Sequence, residues 1–306
     1  NKRLDGIMKC IKQKGALVYG LIRFLMSISG FVKKVFKVNP GKKMFGAILD
    51  KASLRTIRIC ISGGGPLAPS VFRMYNQLGI DFVQGYGLTE TSPIIALNPT
   101  EAYKEESVGK VLPGMEMRII DKDDEGRGQI VVKGPMVMQG YYKNEEATRE
   151  SFRDGWLLTG DIGYLDEDDY LYLTGRAQNL NVTEGGKHVY PEEIENHFQL
   201  YTEVEQVLVR GYLLDKKEKS EGIEVCVYPN KDWFEQDGAK SGKAYDDAAV
   251  EAHIRKVVDE VNAGMLPYQR IGKVTMLSEP LEMTTTKKVK RFRSEEHTSE
   301  LQSRQS

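Results

Sequence analysis

A strand–turn–helix–strand pattern in the first third of the chain limits the fold more than any other feature. The segment "TIRICISGGGPL", Thr56–Leu67, is an apolar run that ends in three consecutive glycines. An amphipathic stretch, Ala68–Gly79, follows, and "IDFVQGYG", Ile80–Gly87, resumes the apolar pattern. Two strands that are joined through a helix pack as parallel neighbours. The pattern therefore predicts an α/β fold in which helices cover a parallel sheet.

The pattern of apolar and polar residues changes twice further along the chain. From Val108 onward, short alternating runs separated by turn residues predict a β-rich subdomain. After Arg176, strand patterns and an amphipathic helix closed by Gly264 predict a small α+β unit, within which the polar stretch Glu235–Tyr245 is expected to be a surface loop. The prediction is thus a multidomain α/β protein: a large domain over residues 1–176, a small one over 177–292, and a foreign, disordered tail over 293–306.

Cysteine and histidine usage excludes several classes of protein. The cysteines Cys10, Cys60 and Cys226 lie far apart and form no CxxC pair, which argues against a disulfide framework or a zinc site and for a reducing compartment. The four histidines are scattered, so a histidine-based triad or metal cluster has little support. We expect a cytoplasmic protein.

The amino-terminal segment carries nearly all of its charge as cations. Residues 1–49 contain eleven Lys or Arg and a single acid, Asp5. One interpretation is a solvated basic face on helices packed against the domain; the other is an amphipathic helix within residues 1–43 on the anionic inner face of a membrane. The longest uncharged run, Phe24–Val32, is shorter than the ~20 residues that span a bilayer. No motif accompanies the charge that would indicate nucleic-acid binding.

Five motifs stand in a fixed order. They are "SGGGPL" (Ser62–Leu67), "GYGLTET" (Gly85–Thr91), "TGD" (Thr159–Asp161), "GRAQNLNVTEGGKHVYPEEIE" (Gly175–Glu195) and "MTTTKKVKR" (Met283–Arg291). Each alone is weak, because glycine turns and polar triplets are common. Together, in this order and separation, they resemble the motifs of the AMP-forming adenylating enzymes. Their residues are most similar to those of bacterial long-chain fatty-acid–CoA ligases.

The resemblance implies a nucleotide site built from the first three motifs. The glycines of the first two motifs and Tyr86 would bind ATP and AMP; the glycines are Gly63, Gly64, Gly65, Gly85 and Gly87. Thr89 would contact the α-phosphate, Glu90 would hold Mg²⁺, and Asp161 would accept hydrogen bonds from the ribose hydroxyls. A carboxylate suits Mg²⁺, which prefers oxygen ligands.

The resemblance also implies a mobile small domain. Arg176 would assist at the ribose and phosphate, Asn179 would be the hinge, and a loop containing Gly185 and Gly186 would line the coenzyme A tunnel. Lys288 would be the lysine that reaches the reacting carboxylate, although Lys287 stands where many relatives carry glycine, so the choice between the two lysines stays open.

The implied reaction activates a long-chain fatty acid with ATP and Mg²⁺ and transfers the acyl group to coenzyme A. Alternatives are an adenylating enzyme for another carboxylic acid, an enzyme that loads a carrier protein, and a non-catalytic nucleotide- or acyl-binding relative. The family's Thr/Ser/Gly-rich phosphate loop has no match in the chain, and the stretch from Arg293 resembles a translated sequencing adapter. We therefore expect an amino-terminally truncated fragment that is inactive alone.

Overall fold

A computed structural model describes residues 2–65, 67–182, 187–215, 220–284 and 289–291. The chain divides into two compact units, the first ending at Thr174 and the second beginning at Gly175. The architecture is mixed α/β with several sheets, as predicted. The roles predicted for the large and the small domain stay predictions. The predicted tail, residues 293–306, lies outside the described residues.

The first unit begins with helices and continues into a small sheet. Its elements are α1 (Lys2–Lys12), α2 (Ala16–Phe36), α3 (Gly41–Met44), α4 (Gly46–Lys51), β1 (Cys60–Ser62), α5 (Pro69–Gln77), β2 (Phe82–Tyr86), β3 (Ala96–Leu97) and β4 (Lys110–Val111). Strands β1 and β2 are parallel, as the strand–helix–strand pattern predicts. Strands β3 and β4 continue the sheet in antiparallel fashion, so the described sheet is mixed rather than wholly parallel.

A buried lysine fastens α2 to the rest of this unit. The ammonium of Lys33 lies 2.8 Å from Asn76 Oδ1 and 2.7 Å from Asp81 Oδ1. Burial lowers the pKa of Lys33, and the hydrogen bond and charge of Asp81 oppose that shift. A side chain at Gly79 would place its Cβ 2.1 Å from the Lys42 nitrogen, so glycine is required where the start of α3 packs against the chain that follows α5.

The β-rich part of the first unit forms a five-stranded sheet. Its strands are β5 (Glu116–Ile120), β6 (Gly128–Lys133), β7 (Phe152–Arg153), β8 (Trp156–Leu165) and β9 (Leu171–Arg176). Helix α6 (Glu145–Glu150) precedes β7, and the last two residues of β9 belong to the second unit. Strands β5, β6, β8 and β7 are hydrogen-bonded in that order, and β9 pairs with β8. Ile130, Val132 and Leu157 are buried on this sheet in a core that also contains Tyr86 of β2 and Ala96 of β3.

The second unit is an α+β structure around one core. It contains β10 (Asn181–Val182), β11 (His188–Val189), α7 (Pro191–His197), β12 (Val204–Asp215), β13 (Ser220–Pro229), α8 (Lys231–Ser241), α9 (Asp247–Ala263) and β14 (Ile271–Met276). Strand β13 lies between antiparallel β12 and parallel β14. The predicted apolar face of α9 is buried against this sheet, with Ile254, Val257, Val258 and Val261 in the core.

The expectation of a surface loop over Glu235–Tyr245 is wrong for most of that stretch. Helix α8 runs to Ser241, and the Asn230 side chain caps it by accepting a hydrogen bond from the Trp233 nitrogen. Gly242 ends it in a left-handed conformation. The helix buries only Phe234, so its sequence lacks the apolar stripe by which an amphipathic helix is recognised.

Candidate functional site

The first two glycine motifs lie side by side at the carboxyl ends of β1 and β2. The parallel register pairs Ser62 with Gln84, so Gly63 follows directly beside Gly85. A Cβ at Gly63 would come within 3.3 Å of the Gly85 carbonyl oxygen, and Gly64 adopts a positive φ of +80°. The absence of side chains here keeps the backbone accessible at the edge of the sheet where α/β proteins bind ligands.

The turn that follows β2 fixes the direction of Tyr86, Thr89 and Glu90. A Cβ at Gly87 would lie 1.8 Å from the Pro93 carbonyl oxygen, so only glycine allows the chain to fold back here. The hydroxyl of Thr91 closes a short 3-10 turn by accepting from the Leu88 nitrogen. Within this turn Thr89 is exposed and Glu90 is half-buried.

An irregularity in β8 directs Asp161 toward Tyr86. Between the pairs Val131–Leu158 and Gln129–Ile162, three residues of β8 stand opposite a single residue of β6. The central one, Gly160, has a φ of +72°, and Thr159 donates to the Ile130 carbonyl while accepting from the Asp161 nitrogen. Bulges of this kind bend a strand and re-aim a side chain.

The Tyr86 hydroxyl donates a hydrogen bond to Asp161 Oδ2 at 2.6 Å, and both side chains are buried. Two predicted site residues that lie 75 positions apart in the sequence are thereby in direct contact. The structure brings together the glycine segments, Tyr86 and Asp161 in the first unit. An exposed Thr89 and a half-buried Glu90 lie on the adjoining turn.

Glu90 is the residue of this region that fits a metal ion. Its Oε1 accepts from the Tyr141 hydroxyl at 2.9 Å, which holds the carboxylate in place. Partial burial raises the pKa of Tyr141, and the hydrogen bond to Glu90 adds to the rise. The described residues contain no cluster of three metal-binding side chains. A single carboxylate is nevertheless sufficient for Mg²⁺ that is shared with nucleotide phosphates.

The remaining predicted residues belong to the second unit. Arg176 ends β9 and is half-buried. Asn179 lies in a 3-10 turn, and its side chain donates to Glu192 at the start of α7. The predicted tunnel glycines, Gly185 and Gly186, and both candidate lysines, Lys287 and Lys288, lie outside the described residues.

The end of the lysine-bearing motif is anchored within the second unit. Arg291 donates to Glu195 Oε2 at 2.7 Å and to the Val209 carbonyl at 3.0 Å, and its guanidinium lies 3.6 Å from Glu192. Burial raises the pKa of Glu195 to about 7, although Arg291 and the Val209 nitrogen oppose the shift. Glu192 therefore lies between the predicted hinge residue, Asn179, and the anchored end of the motif.

Three residues with positioning roles were missed by sequence reasoning. Tyr141 is 51 positions from Glu90, and no local pattern announces their contact. Arg291 stands inside the motif that supplied the lysine, but its ion pair with Glu195 spans 96 positions. Thr159 could have been found, because a threonine two residues before a candidate aspartate commonly makes a local side-chain-to-backbone bond.

The chain is similar in sequence to known proteins. Residues 16–142 match the model of a family described as AMP-binding enzyme. The long-chain-fatty-acid–CoA ligase FadD15 of Mycobacterium bovis is 34% identical over 245 residues, covering 76% of this chain and 39% of that protein. The 2-succinylbenzoate–CoA ligase of Listeria monocytogenes is 37% identical over 199 residues, covering 64% and 39%.

A solved structure extends the similarity to the fold. The o-succinylbenzoate coenzyme A synthetase of Bacillus subtilis, in complex with ATP and magnesium ion, matches with a TM-score of 0.62 and 26% identity. The match covers 83% of this chain and 50% of that one. The chain thus spans about four tenths of the length of these curated relatives and half of this structural neighbour.

Proposed function

The chain belongs to the AMP-binding enzymes, and we propose on that premise that it is part of an AMP-forming ligase that joins a long-chain fatty acid to coenzyme A. The proposal depends chiefly on one observation, the buried hydrogen bond between Tyr86 and Asp161. It joins the end of a parallel strand to a bulged strand of a second sheet, next to side-chain-free backbone. That combination provides a flat aromatic face and a carboxylate for a nucleoside.

The proposed reaction has two steps. The carboxylate of the acid attacks the α-phosphate of ATP, which gives an acyl-adenylate and releases pyrophosphate. The thiol of coenzyme A then displaces AMP and forms the thioester. In the first step two anions approach each other, so the reaction needs positive charge and oriented donors more than an acid–base pair.

Residues of this chain would supply those groups. Glu90, held by Tyr141, would bind the Mg²⁺ that accompanies the phosphates and offsets their charge. The exposed hydroxyl of Thr89 would donate to the α-phosphate, and Asp161 would accept from the ribose hydroxyls. Lys288 would bring an ammonium to the reacting carboxylate, Arg176 would assist at the ribose and phosphate, and Asn179 would act as the hinge.

The nature of the acid is the finer part of the proposal. Similarity to a long-chain fatty-acid ligase extends over 76% of the chain, which favours a fatty acid. The similarity to a 2-succinylbenzoate ligase has the higher identity over a shorter stretch, and it makes an aromatic acid the second candidate. The substrates ATP and coenzyme A agree with the cytoplasmic location expected from the cysteines.

The test is a substrate profile of the full-length product of the gene that encodes this chain. AMP release with coenzyme A would be measured for hexadecanoate, decanoate, 2-succinylbenzoate and benzoate. We expect the highest kcat/KM for hexadecanoate. A preference for 2-succinylbenzoate would refute the fatty-acid assignment and keep the ligase, whereas no AMP release with any acid would refute the ligase.

Lysine variants of the same protein test the assigned role and resolve the ambiguity. Lys288→Ala should lower acid-dependent ATP–pyrophosphate exchange at least hundredfold while thioester formation from supplied acyl-AMP stays within a few-fold, because only the first step needs this ammonium. If Lys287 is the lysine that reaches the reacting carboxylate, Lys287→Ala should show this loss instead. Lys290→Ala, which removes an exposed lysine 3.5 Å from Glu282, is the matched control. Equal losses in both steps would contradict the role.

A further inference from the structure

The last residue of the lysine-bearing motif, Arg291, is surrounded by three oxygen acceptors. Its guanidinium donates to Glu195 Oε2 at 2.7 Å and to the Val209 carbonyl at 3.0 Å, and it lies 3.6 Å from Glu192 Oε1. The Arg291 side chain is 16% exposed, and those of Glu192 and Glu195 are 24% and 19% exposed. A planar guanidinium that bonds in two directions fixes both the position and the orientation of the chain that carries it.

These acceptors belong to the edge of the second unit's sheet and to helix α7. Among the described strands, β12 pairs only with β13, so β12 has one free edge. Val209 of β12 donates its nitrogen to Glu195 Oε1 at 2.7 Å and accepts from Arg291 at its carbonyl. The Glu195–Arg291 pair therefore binds both backbone groups of Val209, as a further strand would at this edge.

The chain just before Arg291 is fixed by backbone contacts. Val289 bridges Met283 in antiparallel fashion, and the Lys290 nitrogen donates to the Glu282 carbonyl at 2.9 Å. These two pairs join the end of the motif to the chain at its start. The described residues on the two sides of the candidate lysines are thus aligned with each other.

The candidate lysines are close to this anchor along the chain. Lys288 directly precedes Val289 and stands three positions before Arg291, which corresponds to at most ~10 Å of extended chain. A shift of Arg291 therefore moves the point from which the lysine side chain starts. An ammonium that must reach a reacting group loses much of its effect when it is misplaced by about 1 Å.

We propose that Glu195 and Glu192 are positioning residues for the first step of the ligase reaction: they hold Arg291 and thereby the segment that carries the lysine. This role rests on the proposed function, because it is a role in adenylation. Neither glutamate contacts substrate in it, and both act through Arg291. An anchored segment helps the reaction because less conformational freedom is lost when its lysine reaches the carboxylate.

Glu192 extends the contact to the predicted hinge. The Asn179 side chain donates to Glu192 Oε1, the same oxygen that faces Arg291. One carboxylate is therefore shared by the hinge residue and the end of the motif. Because 3.6 Å exceeds hydrogen-bond distance, we expect Glu192 to contribute less than Glu195.

The first test uses the full-length protein at pH 8, above the pKa of about 7 to which burial raises Glu195. Arg291→Met should lower the kcat of acid-dependent ATP–pyrophosphate exchange about hundredfold, because the lysine loses its fixed starting point. The KM for ATP and the rate of thioester formation from supplied acyl-AMP should change less than about threefold. Glu195→Gln, which keeps a neutral acceptor, should lower the kcat about tenfold, and Glu192→Gln about threefold.

Two further variants show whether these residues act as one unit. Adding Glu195→Gln to Arg291→Met should cause no further loss of ATP–pyrophosphate exchange, since the contact is already absent. Arg291→Lys should give a kcat between those of the parent and Arg291→Met. Its ammonium can still bond Glu195, but it lacks the fixed fork of a guanidinium.

Arg210→Met is the matched control for structural damage. Arg210 also lies on β12 and donates to a buried carboxylate, Glu224, at 2.8 Å, but this partner belongs to β13 and not to α7. Loss of this pair weakens the second unit without removing a contact of Arg291. Whatever activity Arg210→Met loses should therefore be lost to a similar extent in both steps.

A second test needs no substrate. Hydrogen exchange is measured for the peptide that contains the Lys290 amide, which is bonded to the Glu282 carbonyl, relative to peptides of α9 in the same protein. Arg291→Met should raise this ratio of exchange rates about tenfold, because the segment opens locally. Arg210→Met should leave the ratio unchanged.

The outcomes separate the positioning role from the proposed function. A selective loss of the first step, together with faster hydrogen exchange at Lys290, would support the role. Equal losses in both steps for Arg291→Met, an unchanged hydrogen-exchange ratio, or additive losses from Glu195→Gln and Arg291→Met would each overturn the role and keep the ligase. A parent protein without ATP–pyrophosphate exchange for any acid would refute the proposed function, and the positioning role would fall with it.

Discussion

The two units differ in how completely they bury their own apolar side chains. In the second unit the sheet formed by β12, β13 and β14 and the face of α9 enclose a common core in which Val209, Val225 and Ile254 are inaccessible to solvent. In the first unit Leu17 and Phe24 of α2 are exposed, and so is Ile61 within β1. Among the described strands, β1 pairs with β2 alone. Within the described residues, the second unit therefore buries its apolar side chains more completely than the first.

The largest effect on stability is expected from removing a side chain of the second unit's core, and the comparison is with an exposed side chain of the first unit. Ile254→Ala should destabilise the second unit by about 4 kcal/mol, because it leaves a cavity in a core that cannot collapse. Phe24→Ala on the exposed side of α2 should change the stability of the first unit by less than about 0.5 kcal/mol. The two tryptophans, Trp156 and Trp233, lie in different units, so urea unfolding of single-tryptophan variants reports each unit separately.

Similar losses from Ile254→Ala and Phe24→Ala would break the comparison. A large effect of Phe24→Ala would mean that this side of α2 is covered by protein in solution. Ile254→Val is the matched conservative variant in the core, and it should cost ~1 kcal/mol.

The fold was predictable where one periodicity dominates. The strand–helix–strand pattern over residues 56–87 and the buried face of α9 follow from regular spacing of apolar residues, and the structure confirms both. Helix α8 was missed because it buries only Phe234 and is held mainly by its ends. Its cap residues, Asn230 and Gly242, are present in the sequence, but cap residues indicate a helix only where an apolar pattern between them also predicts one.

The candidate site was predictable in its parts and not in its assembly. The glycines, Tyr86 and Asp161 stand out through motif order, yet the contact between the ring hydroxyl and the carboxylate depends on the bulge at Gly160. A bulge is set by pairing with a distant strand, which no local pattern records. The support of Glu90 by Tyr141 is non-local in the same way.

The second prediction concerns the buried charge of the second unit. Glu224 is 1% exposed and accepts from Arg210 at 2.8 Å, and Lys273 and Thr275 bond its other oxygen. Burial alone would raise the pKa of Glu224, but the hydrogen bonds from Thr275, Lys273 and Arg210 hold it below its ordinary value. Arg210→Met should cost about 2 kcal/mol at pH 7, since the carboxylate stays buried with Lys273 as its remaining charged partner.

The pH dependence of this loss identifies its cause. A depressed carboxyl pKa stabilises the fold above the pKa of the unfolded chain, and that stabilisation disappears as the pH falls through the folded pKa. The penalty of Arg210→Met should therefore be smaller at pH 3 than at pH 7, because the folded pKa of Glu224 lies below its ordinary value. Arg255→Met, which breaks the exposed pair with Glu251 on α9, should cost less than about 0.5 kcal/mol at both values. A penalty that is constant with pH would assign the loss to packing of the arginine stem.

The smallest expected effect on stability is at the candidate site. Two variants there separate the contribution of the Tyr86 ring from that of its hydroxyl. Tyr86→Phe removes the donor to Asp161 Oδ2 and should destabilise the first unit by about 1 kcal/mol in urea unfolding followed at Trp156. Tyr172→Phe, which removes a longer 3.2 Å bond to Asp166, is the control and should cost less. If the tyrosine is a stacking face for a nucleotide, Tyr86→Phe keeps that face, so AMP affinity of the full-length protein should change less than threefold while Tyr86→Ala reduces it at least tenfold. Equal losses of AMP affinity in the two variants would mean that the hydroxyl and Asp161 carry the interaction, and stacking on the ring would then have no part in it.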